Sequence, residues 1–328
     1  QARSVAMIGA SGNPRKWGYI MLRNLINGGF PGAVYPVNPD ADELQGKKVY
    51  RAVQDIPETP DLAVIAVPPE NVLAAVQACV EKGVRAAVVI TAGFAELGDE
   101  GRGMQEQIAD SARAGGMILV GPNCNGFMSP WASLYVDFPN FHVPPGHIAI
   151  IGQSGGVMDG LARQMMIKGL GCSLCVAGGN EADLHVEDYL AYLADDPRTK
   201  VILCYIEGFK DGERFLNIAR NVTRRKPMVV FKAGRTTAGA RAAASHTASI
   251  AGDDKVFDHV CRQAGICRAG NLYQMVNLGT AFLYQPLPKG RRIAIVTAGG
   301  GWGVMAADEC MALGLDMANL SGDTIRRL

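Results

Sequence analysis

An excess of charge of one sign is what this sequence most plainly lacks: 32 Lys and Arg stand against 31 Asp and Glu, a formal net charge of +1. With no net field to draw nucleic acid or an anionic membrane to the chain at large, any anion has to be met by a local site. Long apolar runs are missing as well. None approaches the roughly 20 residues of a membrane-spanning helix, so neither a membrane nor a nucleic acid is expected as a partner. Histidine is scarce, at five residues, and aromatics make up 7%. His142, His147, His185 and His259 fall at no ligand spacing such as H-x-x-x-H, which argues against a metal centre. What the chain does have is apolar mass: 48% hydrophobic residues over 328 positions support a large core and two or three domains.

Eight cysteines lie mostly within apolar segments, and no secretory signal precedes them, so reduced thiols in the cytoplasm are expected. Cys172 and Cys175 form a C-x-x-C on a predicted strand. A spacing of three on a strand points two side chains to opposite faces, which disfavours both a redox pair and a zinc knuckle. The sequence opens on Gln1 rather than Met, so a start upstream is expected.

Short β-branched runs alternate with longer helical patterns, the pattern of βαβ units and a parallel sheet. The first series of strands is predicted at 4–8, 33–37, 62–67, 86–90 and 118–120. Residues 130–145, with Pro139, Pro144 and Pro145 and little periodicity, are expected to be a linker. A second series follows at 147–151, 173–176, 201–206 and 228–231, with a short strand near Ile266. A third unit opens with a strand at 292–297 and a helix at 304–313. The expected fold class is α/β: a Rossmann-like domain at 1–129, a flavodoxin-like doubly wound domain at 146–286, and the incomplete start of another at 290–328.

The first strand runs into Gly9-Ala10-Ser11-Gly12-Asn13-Pro14-Arg15-Lys16-Trp17-Gly18 ahead of a helix. Such a turn aims backbone N–H groups and a helix N-terminus at the sheet end where phosphates bind, so a nucleotide-containing ligand is expected, with Arg15 and Lys16 placed to pair with it. The glycine spacing is not the G-x-G-x-x-G of NAD proteins, and the second strand ends in Asn38-Pro39 rather than a carboxylate, although Asp40 follows. Later strands end at Val67-Pro68, Ala92-Gly93-Phe94 and Gly121-Pro122-Asn123-Cys124-Asn125, turns that should border the same crevice. The second series repeats the device with Gly152-Gln153-Ser154-Gly155-Gly156, a phosphate cradle at a helix start. Glu207 ends an otherwise apolar strand, where a carboxylate can orient an imidazole. One histidine stands apart. His246 sits in AGARAAASHTASIAG, a run of small residues that suits a swinging loop carrying a phosphoryl group.

In this order, SVAMIGAS (4–11), YPVNP (35–39), LAVIAVPPE (62–70), GPNC (121–124), QSGG (153–156), GNEAD (179–183) and GARAAASHT (239–247) cover nearly the whole chain. Together they resemble the α-subunit portion of the nucleoside-diphosphate-forming acyl-CoA synthetases, the group of ADP-forming acetyl-CoA synthetase, related to succinyl-CoA synthetase. The resemblance implies conversion of a carboxylic acid, CoA and ATP into acyl-CoA, ADP and phosphate, through an acyl phosphate and a phosphohistidine. It assigns His246 as phosphoryl carrier, Glu207 as its orienting carboxylate, and Gln153, Ser154, Gly155 and Gly156 as the phosphate cradle. It places CoA against Gly9, Ala10, Ser11, Gly12, Arg15, Asn38, Pro39, Val67, Pro68, Ala92, Gly93 and Phe94, and the acyl group against Asn123, Cys124 and Asn125. It implies an oligomer and an ATP-grasp domain or β subunit holding ATP or ADP with Mg. Two departures stand out: Ala248 where the family commonly has Gly, and Asn125 where an aliphatic residue is usual. Two other readings stay open, a CoA-sensing regulatory module fused to a protein acyltransferase and an NAD-dependent oxidoreductase. The presence of both His246 and Glu207 favours the enzyme.

Overall fold

The computed structural model describes residues 2–239, 241 and 253–327. They fall into two compact units, Gln1–Leu283 and Tyr284–Leu328. In the first unit the chain order is β1 (Ser4–Ile8), α1 (Trp17–Asn27), β2 (Ala33–Val37), β3 (Leu62–Ile65), α2 (Pro69–Glu81), β4 (Ala86–Val89), α3 (Asp99–Ala114) and β5 (Ile118–Val120). It continues through β6 (Gly126–Ser129), β7 (Leu134–Val136), β8 (Pro145–Gly152), α4 (Gly155–Ile167), β9 (Cys172–Ala177), α5 (Val186–Asp195), β10 (Val201–Ile206), α6 (Gly212–Thr223), β11 (Met228–Lys232), α7 (Asp254–Ala264), β12 (Cys267–Arg268) and α8 (Leu272–Tyr284).

β1 is buried at all five positions because helices cover both faces of its sheet, which is why it reads as a continuous apolar run. That sheet is parallel throughout, in the order β2-β1-β3-β4-β5. Ala6, Ile8, Ala63, Ile65 and Val89 face α2 and α3 through Val72, Val76, Cys79, Ile108 and Ala112. Val5, Met7, Leu62 and Val64 face α1 through Met21, Leu22 and Leu25. The second sheet repeats the arrangement in its parallel part, β12-β11-β10-β8-β9, with α4 and α8 on one face and α5, α6 and α7 on the other. In both sheets the chain leaves the first strand in opposite directions, so each has a topological switch point at its carboxyl edge: between β1 and β3, and between β8 and β10.

Two expectations are corrected here. Residues 130–145 are not simply a linker: they hold β7, which pairs with β6 just before them, and the two strands join the second sheet as an antiparallel extension beside β9. Their side chains serve both halves, since Leu134 and Val136 fill the core beneath α1 while Met128 and Tyr135 fill the core beneath α4. Cys172 and Cys175, expected on opposite faces of a strand, lie on the same face. The register runs Ile148 to Cys172 and then Ala149 to Leu174, so Ser173 is an extra, bulged residue that turns Cys172 over. Both thiols are free and fully buried in the core under α4.

The second unit holds β13 (Arg292–Ile293), α9 (Gly300–Ala312), β14 (Asp316–Met317) and α10 (Gly322–Arg327), with β13 and β14 paired in parallel. No residue of α9 is buried, and Trp302, Val304 and Met305 are exposed. Among the described residues no helix is long and apolar enough to cross a membrane.

Candidate functional site

The first crevice is an open cavity of about 640 Å³ lined by residues that follow β1, β2, β3 and β4. Gly9 turns the chain at a φ of +85°, and Gly18 brings α1 so near that a Cβ there would collide with the Gly9 carbonyl. Gly9 and Ala10 spend their N–H groups on the Val37 carbonyl, at 3.1 and 3.2 Å. The donors left on this side are therefore the N–H groups of Ser11 and Gly12, the start of α1, and the exposed Arg15 and Lys16, neither of which pairs with a carboxylate among the described residues. Asn38 donates from Nδ2 to the Ala10 carbonyl at 2.7 Å, holding the mouth of β2 against that of β1.

Gly9, Ala10, Ser11, Arg15, Asn38, Pro39, Val67, Pro68 and Ala92 all line this cavity. Gly12, Gly93 and Phe94 do not. Gly12 is exposed beyond the turn, Gly93 spends its N–H on Glu96 Oε1 at 2.6 Å, and Phe94 is fully buried in the core under α2 and α3. Lys16, Trp17, Gly18, Asp40, Ala66, Pro69, Asn71 and Thr91 complete the wall. Of these, Asn71 and Thr91 were within reach of the strand-end rule, which points to the turns after β3 and β4.

The second crevice is smaller and polar, about 160 Å³, lined by Asn123, Asn125, Gln153, Ser154, Gly155, Gly156, Gly179 and Asn180. It lies at the N-terminus of α4, whose cap residue Ser154 makes no side-chain cap hydrogen bond. The Ser154 hydroxyl and the first N–H groups of α4 are thus free to meet an anion, and the helix dipole favours one there. Gln153 also lines this crevice, but its side-chain amide is engaged as scaffold. Its Nε2 donates to Glu181 Oε2 at 2.8 Å and to the Gly208 carbonyl at 2.9 Å, while Oε1 accepts from the N–H of Glu207 at 2.7 Å and of Gly208 at 3.2 Å. Two donors and two acceptor sites are all its amide has, so none remains for a ligand. What it does is tie the end of β10 to the start of α4.

Glu207 is buried at that junction, where its carboxylate hydrogen-bonds Tyr205; burial, then Glu207 itself, keep the Tyr205 hydroxyl protonated. Glu181, in a left-handed conformation at φ +52°, is buried too, and burial pushes its carboxyl up to about 8 against the pull of Gln153. A second chain of bonds runs from the second crevice toward the turn after β4. Asn123 Nδ2 donates to Asn180 Oδ1 at 3.1 Å, and Asn180 Nδ2 donates to Glu96 Oε2 at 2.6 Å and Gln105 Oε1 at 2.9 Å. Burial would raise the Glu96 carboxyl, but the bonds from Gly93 and Asn180 outweigh it and hold it below its usual range. Asn180 and Glu181 follow β9 within the GNEAD run, and the strand-end rule that found Ser154 also applies to them. Cys124 does not border this crevice: its thiol donates to the Val89 carbonyl at 3.3 Å inside the first core. His246 lies outside the described residues. Among those described, no group of three or more His, Cys, Asp or Glu is placed to hold a metal ion.

Two doubly wound sheets, one with a roomy crevice at its switch point and one with a small polar crevice at a helix N-terminus, define a class of α/β protein. Residues 3–130 match the CoA binding domain model and residues 145–282 the succinyl-CoA ligase like flavodoxin domain model. The chain is 43% identical over 328 residues to the α subunit of acetate–CoA ligase (ADP-forming) II of Pyrococcus furiosus, covering 99% of this chain and 71% of that one. It is 40% identical over 326 residues to the ADP-forming acetate–CoA ligase of Methanocaldococcus jannaschii, covering 99% of this chain and 46% of that protein. The solved dinucleotide forming acetyl-coenzyme A synthetase 1 of Ca. Korarchaeum cryptofilum, in complex with phosphate and ADP, superposes with a TM-score of 0.92 at 40% identity, over 97% of this chain and 69% of that one. The chain belongs to the α-subunit family of the ADP-forming acyl-CoA ligases.

Proposed function

We propose that this chain is the CoA-binding and phosphoryl-carrying portion of an acid–CoA ligase that works with an ATP-grasp domain or β subunit. In the synthetic direction the γ-phosphoryl group of ATP passes to an imidazole nitrogen of His246, releasing ADP. A carboxylate oxygen of the acid then takes that phosphoryl group, forming an acyl phosphate and freeing the histidine. The CoA thiolate attacks the acyl carbon, the C–O bond to phosphate breaks, and acyl-CoA and inorganic phosphate leave. Ser154 and the N–H groups of α4 stabilise the departing phosphate, and Glu207 orients the His246 ring so that the other nitrogen faces phosphorus. CoA lies in the first crevice, with its phosphates toward Arg15, Lys16 and α1. Mg accompanies the nucleotide on the ATP-grasp part.

The observation that carries this reading is the second crevice, where an uncapped helix N-terminus with a free Ser154 hydroxyl is tied through the Gln153 amide to the backbone N–H of the buried Glu207. The two sheets, with the ribbon of β6 and β7 added to the second, act as the two working domains. The exposed apolar residues of α9 support 290–328 as part of a further flavodoxin-like sheet. Buried free cysteines suit a cytoplasmic setting. His246→Ala in the assembled enzyme abolishes phosphorylation of this chain by labelled ATP while CoA binding, followed by titration calorimetry, stays within about twofold. Retained phosphate incorporation removes the assignment.

A further inference from the structure

The second crevice has walls of opposite hydrogen-bonding character. The α4 side offers donors, the Ser154 hydroxyl and the helix N–H groups. The facing side offers acceptors, because both asparagines turn their nitrogens into the protein. Asn123 gives Nδ2 to Asn180 Oδ1 at 3.1 Å, and Asn125 gives Nδ2 to Asp159 Oδ2 at 3.0 Å. Neither amide oxygen accepts a hydrogen bond from any described residue, and neither is sealed off as a buried unpartnered atom. Asn125 is held as well as oriented. Its amide lies against the α-carbon of Gly155, where any Cβ would overlap it.

Asp159 holds the Asn125 nitrogen most strongly as a carboxylate, and the pair it forms with Asp137 carries its proton on Asp137. Asp137 is 1% exposed, its Oδ1 accepts from the Phe138 N–H at 2.6 Å, and its Oδ2 has no partner. Burial first, then repulsion from Asp159, hold the Asp137 carboxyl well above the usual range. Burial pushes Asp159 only to about 6, since the Asn125 bond and the charge of Arg163 pull it back. One proton therefore resides on Asp137 and Asp159 is ionised near neutrality. Turning the Asn125 amide over would set its oxygen against that charge.

We propose that Asn125, positioned by Asp159, is a specificity-determining residue whose Oδ1 accepts a hydrogen bond from the acyl group, so that the enzyme prefers short carboxylic acids bearing a hydroxyl. This rests on the reading of the second crevice as the acyl-phosphate site. At about 160 Å³ the cavity is well below the size of a drug-like pocket, which keeps the acid short. Its two walls match a ligand with an acceptor-rich end, the phosphorylated carboxyl, and a donor at the other. A site that hydrogen-bonds a substrate hydroxyl discriminates against the analogue lacking it, because the site's polar group is then left unpaired.

The test uses the assembled enzyme with its ATP-grasp part and acids in pairs that differ by one hydroxyl: glycolate and acetate, 3-hydroxypropionate and propionate, 4-hydroxybutyrate and butyrate. The hydroxy acid exceeds its partner in kcat/KM by about tenfold in at least one pair, and Asn125→Leu brings that ratio to about one or below. Asp159→Asn, which leaves the amide free to turn, lowers the same ratio less. Better turnover of the unsubstituted acid in every pair overturns the inference and leaves the ligase reading standing, and the wild-type enzyme reports that outcome even where a variant does not fold. An undiminished preference in Asn125→Leu overturns it too. Failure to turn over any of the six acids overturns this inference together with the reading beneath it.

Discussion

The two crevices lie at the carboxyl edges of sheets with the same strand order and differ in what surrounds them. The first is open, about 640 Å³, and its charges, Arg15 and Lys16, stand exposed at the rim. The second is about 160 Å³, and its polar groups are buried and mutually bonded: Gln153, Asn180, Glu181 and Glu207 are each under a tenth exposed. A crevice that holds a large ligand and releases it draws affinity from many weak contacts. One that stabilises charge during bond exchange needs dipoles fixed in advance, and fixing them takes a second layer of hydrogen bonds.

That contrast is broken most severely at Gln153. Gln153→Leu removes four buried hydrogen bonds and leaves Glu181 and the Glu207 and Gly208 backbone unpaired, so stability falls by about 3 kcal/mol or more in denaturant unfolding. Acyl-CoA synthesis falls by about 100-fold, while CoA affinity at the other crevice changes little. Gly18→Val is the converse lesion. Its side chain meets the Gly9 carbonyl, pushing α1 off the turn, and CoA affinity in titration drops by roughly tenfold or more while phosphorylation of the chain from ATP persists.

Glu181 sharpens the comparison through pH. Its carboxyl titrates at about 8 when folded and near 4.3 when unfolded. The stability it contributes is therefore complete below about pH 4.3 and drains away as pH climbs toward 8. In Glu181→Gln the fall in melting temperature between pH 5 and pH 8 becomes shallower, and an unchanged slope contradicts the assignment. The smallest effect belongs to the exposed rim: Arg15→Ala and Lys16→Ala each weaken CoA binding by a few-fold, and the loss shrinks as salt is raised.

The strands and their turns were legible in the sequence because parallel strands covered on both faces are continuous apolar runs punctuated by glycine. β1, β2, β5 and β10 fall where those runs predict them. The cradle at Ser154 and the first crevice from Gly9 to Ala92 follow from the strand-end rule. The antiparallel pair β6 and β7 was hidden because its short strands feed two different cores and so show no single periodicity. The faces of Cys172 and Cys175 were not legible because a bulge at Ser173 breaks the alternation that the spacing argument assumes. The role of Gln153 was invisible for another reason. Its partners lie 28 to 55 positions away, so only the folded chain shows that its amide is fully engaged.

The ribbon of β6 and β7 serves two interiors at once. Leu134 and Val136 anchor it in one and Met128 and Tyr135 anchor it in the other, so the halves are riveted rather than hinged. The gap from one crevice to its counterpart then works as a ruler of set length. A substrate that reaches across it must bring a tether cut to that measure.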